Sequence, residues 1–161
     1  MASVIDIRRA SLNESTEDAE AIVRLLNEYA QIPVISGKAL PDDVQQRIVP
    51  GLAAHPTSVV WLAWDGDTAV GVLIAIGGFS TFYARPTLNV HDCCITPSHQ
   101  GKGIGTRLFL AAEEYAKKNE CAKLTLEVRR DNPGARRLYR KLGYAADHEE
   151  DETLFWEKKI I

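Results

Sequence analysis

No stretch of this chain approaches the roughly 20 consecutive apolar residues that a membrane-spanning helix needs. The N-terminus has no basic region followed by an apolar core, so no signal peptide is expected. Cysteine is scarce: Cys93, Cys94 and Cys121 are an odd number without metal-ligand spacing. Neither a disulfide framework nor a metal site is expected, and free thiols in a reducing cytoplasm are the simplest account. If Cys93 and Cys94 lie in a strand they point to opposite faces, which argues against a bond between them. An excess of basic charge is also missing. The net charge is −3 and the pI about 5.8, so nucleic acid is not the expected partner. Internal repeats and low-complexity segments are absent. So are two phosphate-loop signatures: G-x-G-x-x-G fails because Thr106 stands where the third glycine belongs, and the P-loop fails because Gly105 is followed by Thr106 and Arg107.

What is present is the composition of an ordinary soluble globular protein, 45% hydrophobic and 25% charged over 161 residues. One domain spanning 1–161 is expected. Val4 to Arg8 alternates weakly and predicts a first strand. Ser15 with Asp18 resembles a capping box, and Ile22, Leu25, Leu26 and Tyr29 then form a helical stripe. Gln31 to Leu40, with Pro33 and Gly37, predicts a loop. Pro41-Asp42-Asp43 opens a second helix, which Pro50-Gly51 should weaken or end. Ser58 to Trp64 and Thr68 to Ile76 read as strands joined by the turn Asp65-Gly66-Asp67. Gly77-Gly78 should break the second of these, leaving Phe79 to Pro86 as an aromatic loop or strand extension.

The chain is organised around Leu88 to Asn119. Leu88 to Ile95 has the length and composition of a strand, and Pro97 should end it near Thr96. From Ile104 the apolar residues Leu108, Ala112, Tyr115 and Ala116 recur at helical spacing. Between the two lies Gln100-Gly101-Lys102-Gly103-Ile104-Gly105. Three glycines at a helix start have two readings. One is a tight turn that needs positive φ. The other is an anion cradle, in which backbone N–H groups and the helix dipole hold a phosphate. Cys121 to Val128 leads into another strand, so the strand–helix–strand order implies a parallel crossover. Asn132-Pro133-Gly134 opens a last helix with Ala135, Leu138, Tyr139 and Leu142 on its apolar side, and Gly143 stops it. Tyr144 to Asp147 and Thr153 to Lys158 should be short strands around an acidic turn, His148 to Glu152.

The pattern Q-x-x-G-x-G after a strand, followed downstream by Asn132, Ala135, Tyr139, Gly143 and Tyr144 as N-x2-A-x3-Y-x3-G-[FY], resembles the GNAT superfamily of acyl-CoA-dependent N-acetyltransferases. The match covers Leu88 to Tyr144; the first half corresponds only in its order of elements. The resemblance implies an α/β fold. Its mixed, twisted sheet of about seven strands would splay between the fourth and fifth and be flanked by about four helices. Acetyl-CoA would be the co-substrate, lying in the split, with no metal. It further implies that the backbone of Gln100, Gly101, Lys102, Gly103, Ile104, Gly105 and Thr106 holds the CoA pyrophosphate. Cys94 and Ile95 would bond the pantetheine amides and present an N–H to the thioester oxygen. Asn132 would reach the pantetheine arm, Ala135 and Arg136 would lie beside CoA, and Tyr139 would protonate the departing thiolate. The plain alternative for Tyr139 is a core aromatic.

An alkyl ammonium with a Lys-like pKa near 10.4 is mostly protonated at pH 7, a mismatch worth roughly 4.6 kcal/mol, so a base would help its attack. His91 is the best candidate, because an imidazole suits the task and the residue lies on the strand beside the thioester site. The region is similar to polyamine-type and other small-amine acetyltransferases, except that His91-Asp92 replaces an acid–Asp pair. Asp92 or Glu127 could therefore do the same work, and a structural His91 is the alternative. Asp92 and Glu127 could also attract a cationic acceptor, while Phe82 and Tyr83 could line its cleft; Tyr29 is read as core packing. The expected reaction is acetyl transfer to a small or polyamine-like primary amine by direct attack in a ternary complex. The rivals are a protein lysine or N-terminal acetyltransferase and a non-catalytic acyl-CoA-binding module. A homodimer is plausible from the resemblance.

Overall fold

The computed structural model of the chain describes residues 4–146 and 153–160. Asp147 and the acidic turn His148 to Glu152 lie outside the described residues. Seven strands and four α-helices follow in the order β1 (Ile5–Arg9), α1 (Thr16–Ala30), α2 (Asp42–Ala54), β2 (Ser58–Asp65), β3 (Thr68–Ser80), β4 (Arg85–Ile95), α3 (Ile104–Lys118), β5 (Lys123–Arg129), α4 (Pro133–Lys141), β6 (Ala145–Ala146) and β7 (Thr153–Lys159). The sheet order is β1-β2-β3-β4-β5-β7-β6. All neighbours run antiparallel except β4 and β5, which are parallel, as a helical crossover between them requires.

Two cores sandwich the sheet. On one face Ile22 and Leu25 of α1 and Val49 of α2 pack on Val60, Leu62, Val72 and Ile74. On the other, Ile104, Leu108, Phe109 and Ala112 of α3 pack on Trp61, Leu73, Leu88 and Leu124. Alternate residues of each strand therefore feed opposite cores, which explains the near-continuous apolar runs in β2 and β3. These runs contribute to both cores, at about 25 cal/mol per Å² of apolar surface buried.

Local departures from the sequence-based expectations have physical causes. The Ser15 cap forms, with the Asp18 N–H donating to Ser15 Oγ at 3.1 Å. The reciprocal arm is different: the Asp18 carboxylate accepts from the N–H of Ser11 at 2.8 Å, not from that of Ser15. Helix α2 runs through Pro50 to Ala54. The proline removes the bond to the carbonyl of Gln46, but Gln46 and Pro50 are both exposed, so water can take that bond. Strand β3 likewise runs through Gly77-Gly78 to Ser80. These glycines allow close approach rather than a break. A Cβ on Gly77 would sit 3.0 Å from the Thr57 side chain, and one on Gly78 would sit 3.0 Å from Thr87 Oγ1.

Candidate active site

The sheet divides at one place. Strand β4 pairs with β5 from Thr87↔Lys123 to Val90↔Leu126, and no further. Beyond Val90, β4 keeps its partner β3 while β5 keeps β7, so the two halves part. At the same point the β3–β4 register shifts: Ala75 faces Val90, Ile74 faces Asp92, and His91 is the extra residue. A bulge adds twist and re-aims the side chains that follow it. Val90 packs in the core under α3. After the bulge it is Cys93 and Ile95 that take that side, while Cys94 joins the core under α1. Asp92, opposite Ile74, shares the α1 face. His91 is exposed at the mouth of the split.

Backbone direction alternates as side chains do. The Thr96 N–H donates to Val70 O at 2.9 Å, so Thr96 and, two residues back, Cys94 turn their backbone groups toward β3. Those of Cys93 and Ile95 point into the split. This corrects one expectation. Ile95 is placed to offer an N–H to a ligand there, but Cys94 is not; Cys93 takes its place. Cys94 instead directs its thiol to Leu25 O at 3.7 Å. Burial, with Asp92 adding to it, pushes the Cys93 thiol up to about 12, and burial also raises Cys94 and Cys121. All three stay protonated near neutrality and are poor nucleophiles.

Across the split stands α4. Tyr139 packs among Phe109, Tyr144 and Trp156, with ring centroids 5.2, 6.0 and 6.2 Å away. Burial holds its phenol well above the usual range, and Cys93 and Tyr29 add to the shift. Asn132 caps α4, its Oδ1 accepting from the Ala135 N–H at 3.1 Å, which leaves its Nδ2 for a ligand. Ala135 lies in the first turn of α4 and packs against the core under α3. The Arg136 guanidinium donates to Arg130 O at 3.3 Å, and its buried Nε has no partner among the described residues. An orphaned cationic donor of this kind suits a phosphate or an amide carbonyl.

The glycine turn has the geometry of a cradle. Gly101 and Gly103 have φ of +75° and +78°, and a Cβ on either would meet nothing within 4 Å. Gly103 is the N-cap of α3 and offers no side-chain cap. The first turn-closing bond of the helix runs from the Arg107 N–H to Gly103 O at 3.2 Å. The N–H groups of Ile104, Gly105 and Thr106 therefore have no intrahelical acceptor. They are directed along the positive end of the helix, with Gln100 at the entry and Lys102 beside them. Gly105 serves packing as well, since its Cβ would sit 3.2 Å from Leu138 Cδ2 of α4. Gln100 donates to Ile95 O at 3.1 Å and so ties the turn to the end of β4. These free donors and the Arg136 Nε fit the pyrophosphate and amides of CoA.

On the α1 side a cleft of about 330 Å³ opens between the last turns of α1 and the end of β4. Its walls include Leu25, Tyr29, Ile32, Cys94, Ile95 and Pro97. Tyr29, expected to be core packing, borders this cleft. Asp92 stands beside it, two residues before Cys94 on the same face of β4. Burial raises Asp92 above the usual carboxylate range, and His91 opposes the shift. Glu127 is exposed, one residue past the last β4–β5 rung. It shares the α1 face with Asn89 and Thr125, which are joined by a 3.0 Å bond from Asn89 Nδ2. Phe82 and Tyr83 are not brought to the cleft. They lie at the tip of the β3–β4 hairpin, before β4 begins, with Phe82 99% exposed and Tyr83 under Lys123 Nζ at 6.0 Å. A strand advances about 3.3 Å per residue, so the tip and the split belong to opposite ends of β4.

Sequence reasoning missed a brace behind the cradle. His99 Nε2 is 2.9 Å from Asp65 Oδ2, and its Nδ1 is 2.9 Å from Ser98 Oγ and 3.3 Å from Thr96 Oγ1. The β2–β3 turn is thus tied to the segment that leads from β4 into the cradle. Asp65 and His99 are far apart in the chain, and no local spacing links them. Among the described residues no group of His, Cys, Asp and Glu side chains could hold a metal ion, and no helix is long and apolar enough to cross a membrane.

Comparison with known proteins agrees with this architecture. Residues 20–144 match the model of the GNAT acetyltransferase family. The chain is 29% identical over 145 residues to the uncharacterized N-acetyltransferase YhfO of Bacillus subtilis, covering 89% of this chain and 91% of that one. It is 33% identical over 111 residues to the streptothricin acetyltransferase of Streptomyces lavendulae, covering 67% of this chain and 56% of that protein. Its fold superposes on an aminoglycoside acetyltransferase from an uncultured soil metagenomic sample with a TM-score of 0.76 at 16% identity, over 91% of this chain and 92% of that one. The family's co-substrate is acetyl-CoA, whose pyrophosphate and amides the glycine turn and the split fit. A sheet opened between β4 and β5, a glycine cradle at the start of α3, and a match over residues 20–144 together place the chain in the GNAT family of acetyltransferases.

Proposed function

We propose that the protein transfers the acetyl group of acetyl-CoA to a small primary amine, by direct attack of the free amine in a ternary complex. The observation that carries this reading is the meeting, at one split, of free backbone donors, a protonated phenol and an imidazole–carboxylate pair. In this reading the cradle from Gln100 to Thr106 holds the pyrophosphate. Asn132 Nδ2, Ala135 and Arg136 flank the pantetheine arm. An N–H of Ile95 or Cys93 receives the charge that develops on the thioester oxygen, an effect typically worth a few kcal/mol.

The amine gives its proton to His91, directly or through water, and its lone pair forms the new C–N bond. As the C–S bond breaks, the departing thiolate takes the Tyr139 proton, and the phenol is later reprotonated from solvent. Burial keeps the Tyr139 phenol protonated near neutrality, so it is available as a donor and not as a base, although the same burial makes it a weaker acid. The protonated thiols argue for direct transfer over an acyl-enzyme. Asp92 and Glu127 attract the ammonium form of the acceptor to the α1 face.

The test is thiol release from acetyl-CoA against simple amines, polyamines, aminoglycosides and short lysine peptides. Turnover with small amines is the expected result. Turnover with lysine peptides alone would make this a protein-directed enzyme. CoA binding without any turnover would make it a binding module.

A further inference from the structure

The acceptor side of the site carries more information than its charge. The cleft beneath α1 is walled mainly by apolar groups: Leu25, Ile32, Cys94, Ile95 and Pro97, with Tyr29 at one side. The loop after α1 extends this wall. The N–H groups of Ile35 and Gly37 donate to Ile32 O at 2.9 and 3.1 Å, folding the loop back upon Ile32. That loop leaves Ile32, Val34 and Ile35 exposed beside the cleft.

Acidic groups are few here. Glu28 borders the cleft, but Arg24 holds its carboxylate at 3.0 Å. Asp92 has no basic side chain within ion-pair distance among the described residues. It lies two residues before Cys94, a wall residue, on the same face of β4. A carboxylate kept from water without a cation is costly, and a bound ammonium removes that cost. Glu127 lies outside the cleft wall, exposed to solvent.

Resting on the reading of the chain as an amine acetyltransferase, we propose that its acceptor is a monoamine on an apolar body, an alkyl or arylalkyl amine. The ammonium or amine lies by Asp92 and the hydrocarbon against Leu25, Ile32 and Pro97. Spermidine or an aminoglycoside brings several positive charges. Of the described carboxylates in and beside this cleft, Glu28 is paired with Arg24 and Asp92 is not, so the remaining charges would lie against Leu25 and Ile32. Desolvating them there without partners is unfavourable.

The experiment measures kcat/KM by thiol release for propylamine, butylamine, hexylamine and phenethylamine, with spermidine, kanamycin and a lysine peptide alongside. The expected result is a rise of about fourfold for each methylene that the cleft buries. Phenethylamine should exceed spermidine at least tenfold. Ile32→Glu alters an exposed side chain on the wall. It should narrow the phenethylamine-to-spermidine ratio at least fivefold and leave the KM for acetyl-CoA unchanged. A flat alkylamine series, an unchanged ratio in Ile32→Glu, or a preference for spermidine, kanamycin or the peptide would overturn the proposal while leaving acetyl transfer standing. No turnover with any amine, despite CoA binding by calorimetry, would overturn both.

Discussion

Gly103 allows the cradle to be tested apart from the fold. Its φ of +78° lies in the left-handed region, and a Cβ there would meet nothing within 4 Å. Any L-residue at this position therefore carries the same backbone penalty, about 1–2 kcal/mol, with no clash added. Gly103→Ala and Gly103→Glu should accordingly lose similar stability. For a chain of this length that corresponds to a Tm lower by roughly 2–8 °C in both. Their effect on ligand binding should differ. If a pyrophosphate rests on the N–H groups of Ile104 to Thr106, the carboxylate introduced by Gly103→Glu comes within roughly 5 Å of it. The repulsion is about 1 kcal/mol at the dielectric of water and about 3 at an effective dielectric of 20. CoA should bind the glutamate variant roughly five- to 150-fold more weakly than the alanine variant.

Calorimetric titration of CoA into both proteins reads this ratio, and thermal melts check that their stabilities match. The gap should also shrink between 50 mM and 500 mM salt, because an exposed repulsion is screened. Equal CoA affinities for the two variants would refute the cradle. The turn would then be only a tight entry to α3.

The remaining tests separate the roles of individual side chains. Tyr139→Phe keeps the ring against Phe109, Tyr144 and Trp156, so Tm should hold while kcat falls about 10- to 100-fold with CoA affinity unchanged; an unaltered kcat removes the proton-donor role. His91→Ala should remove the acidic limb of the pH–rate profile that an imidazole base produces, and a persisting limb would shift the base to Asp92, Glu127 or the amine. His99→Ala and Asp65→Asn should each raise the KM for acetyl-CoA several-fold with kcat little changed, because the brace supports the cradle; an unchanged KM makes the pair merely structural. Asp92→Asn should raise Tm at pH 7 while reducing amine turnover. Burial raises the folded-state pKa above the unfolded one, so the destabilisation is full above the folded value and disappears as pH falls below the unfolded value. The stabilisation should therefore be present at neutral pH and absent in acid; a lower Tm at pH 7 would contradict the burial argument.

Much of this architecture was legible because it is written in local pattern. The glycine turn, the stripe of α3 and the strand that follows are short-range signals that together implied the parallel crossover from β4 to β5, and the family resemblance they carry supplied the split between them. The continuation of β3 through Gly77-Gly78 was not legible. It depends on Thr57 and Thr87 lying against those glycines, which is a tertiary fact. Phe82 and Tyr83 looked like cleft residues because they precede the central strand closely in sequence. A strand carries its two ends far apart, so closeness in sequence to Leu88 placed them away from the split. Tyr29 went the other way. Its spacing put it on the buried stripe of α1, where it does pack against the core, but near the end of the helix the same ring also borders the cleft, which spacing alone did not show. The backbone roles near Cys94 were legible only to within one residue, because the bulge at His91 shifts which groups face the gap.

That bulge is the step on which site and stability meet. Had β4 kept its register, Val90, Asp92 and Cys94 would have shared one face, placing a carboxylate among the apolar residues under α3. The extra residue turns Asp92 to the α1 face and brings Cys93 and Ile95 to the other. It does so where β5 stops pairing, so the backbone groups of Cys93 and the N–H of Ile95 that point toward β5 find no strand there, while Ile95 O is met by Gln100 Nε2. An unmet backbone donor or acceptor that is kept from water costs about 1–3 kcal/mol. A sheet that continued to pair past Val90 would be more stable and would have no opening. A ligand carrying its own amide donors and acceptors restores those bonds, and its binding energy then adds to the stability of the folded state by mass action. The pantetheine arm of CoA has that chemistry. The split can thus be understood as a stretch of ladder left for a ligand strand to complete, ending at the bulge that carries His91 and Asp92.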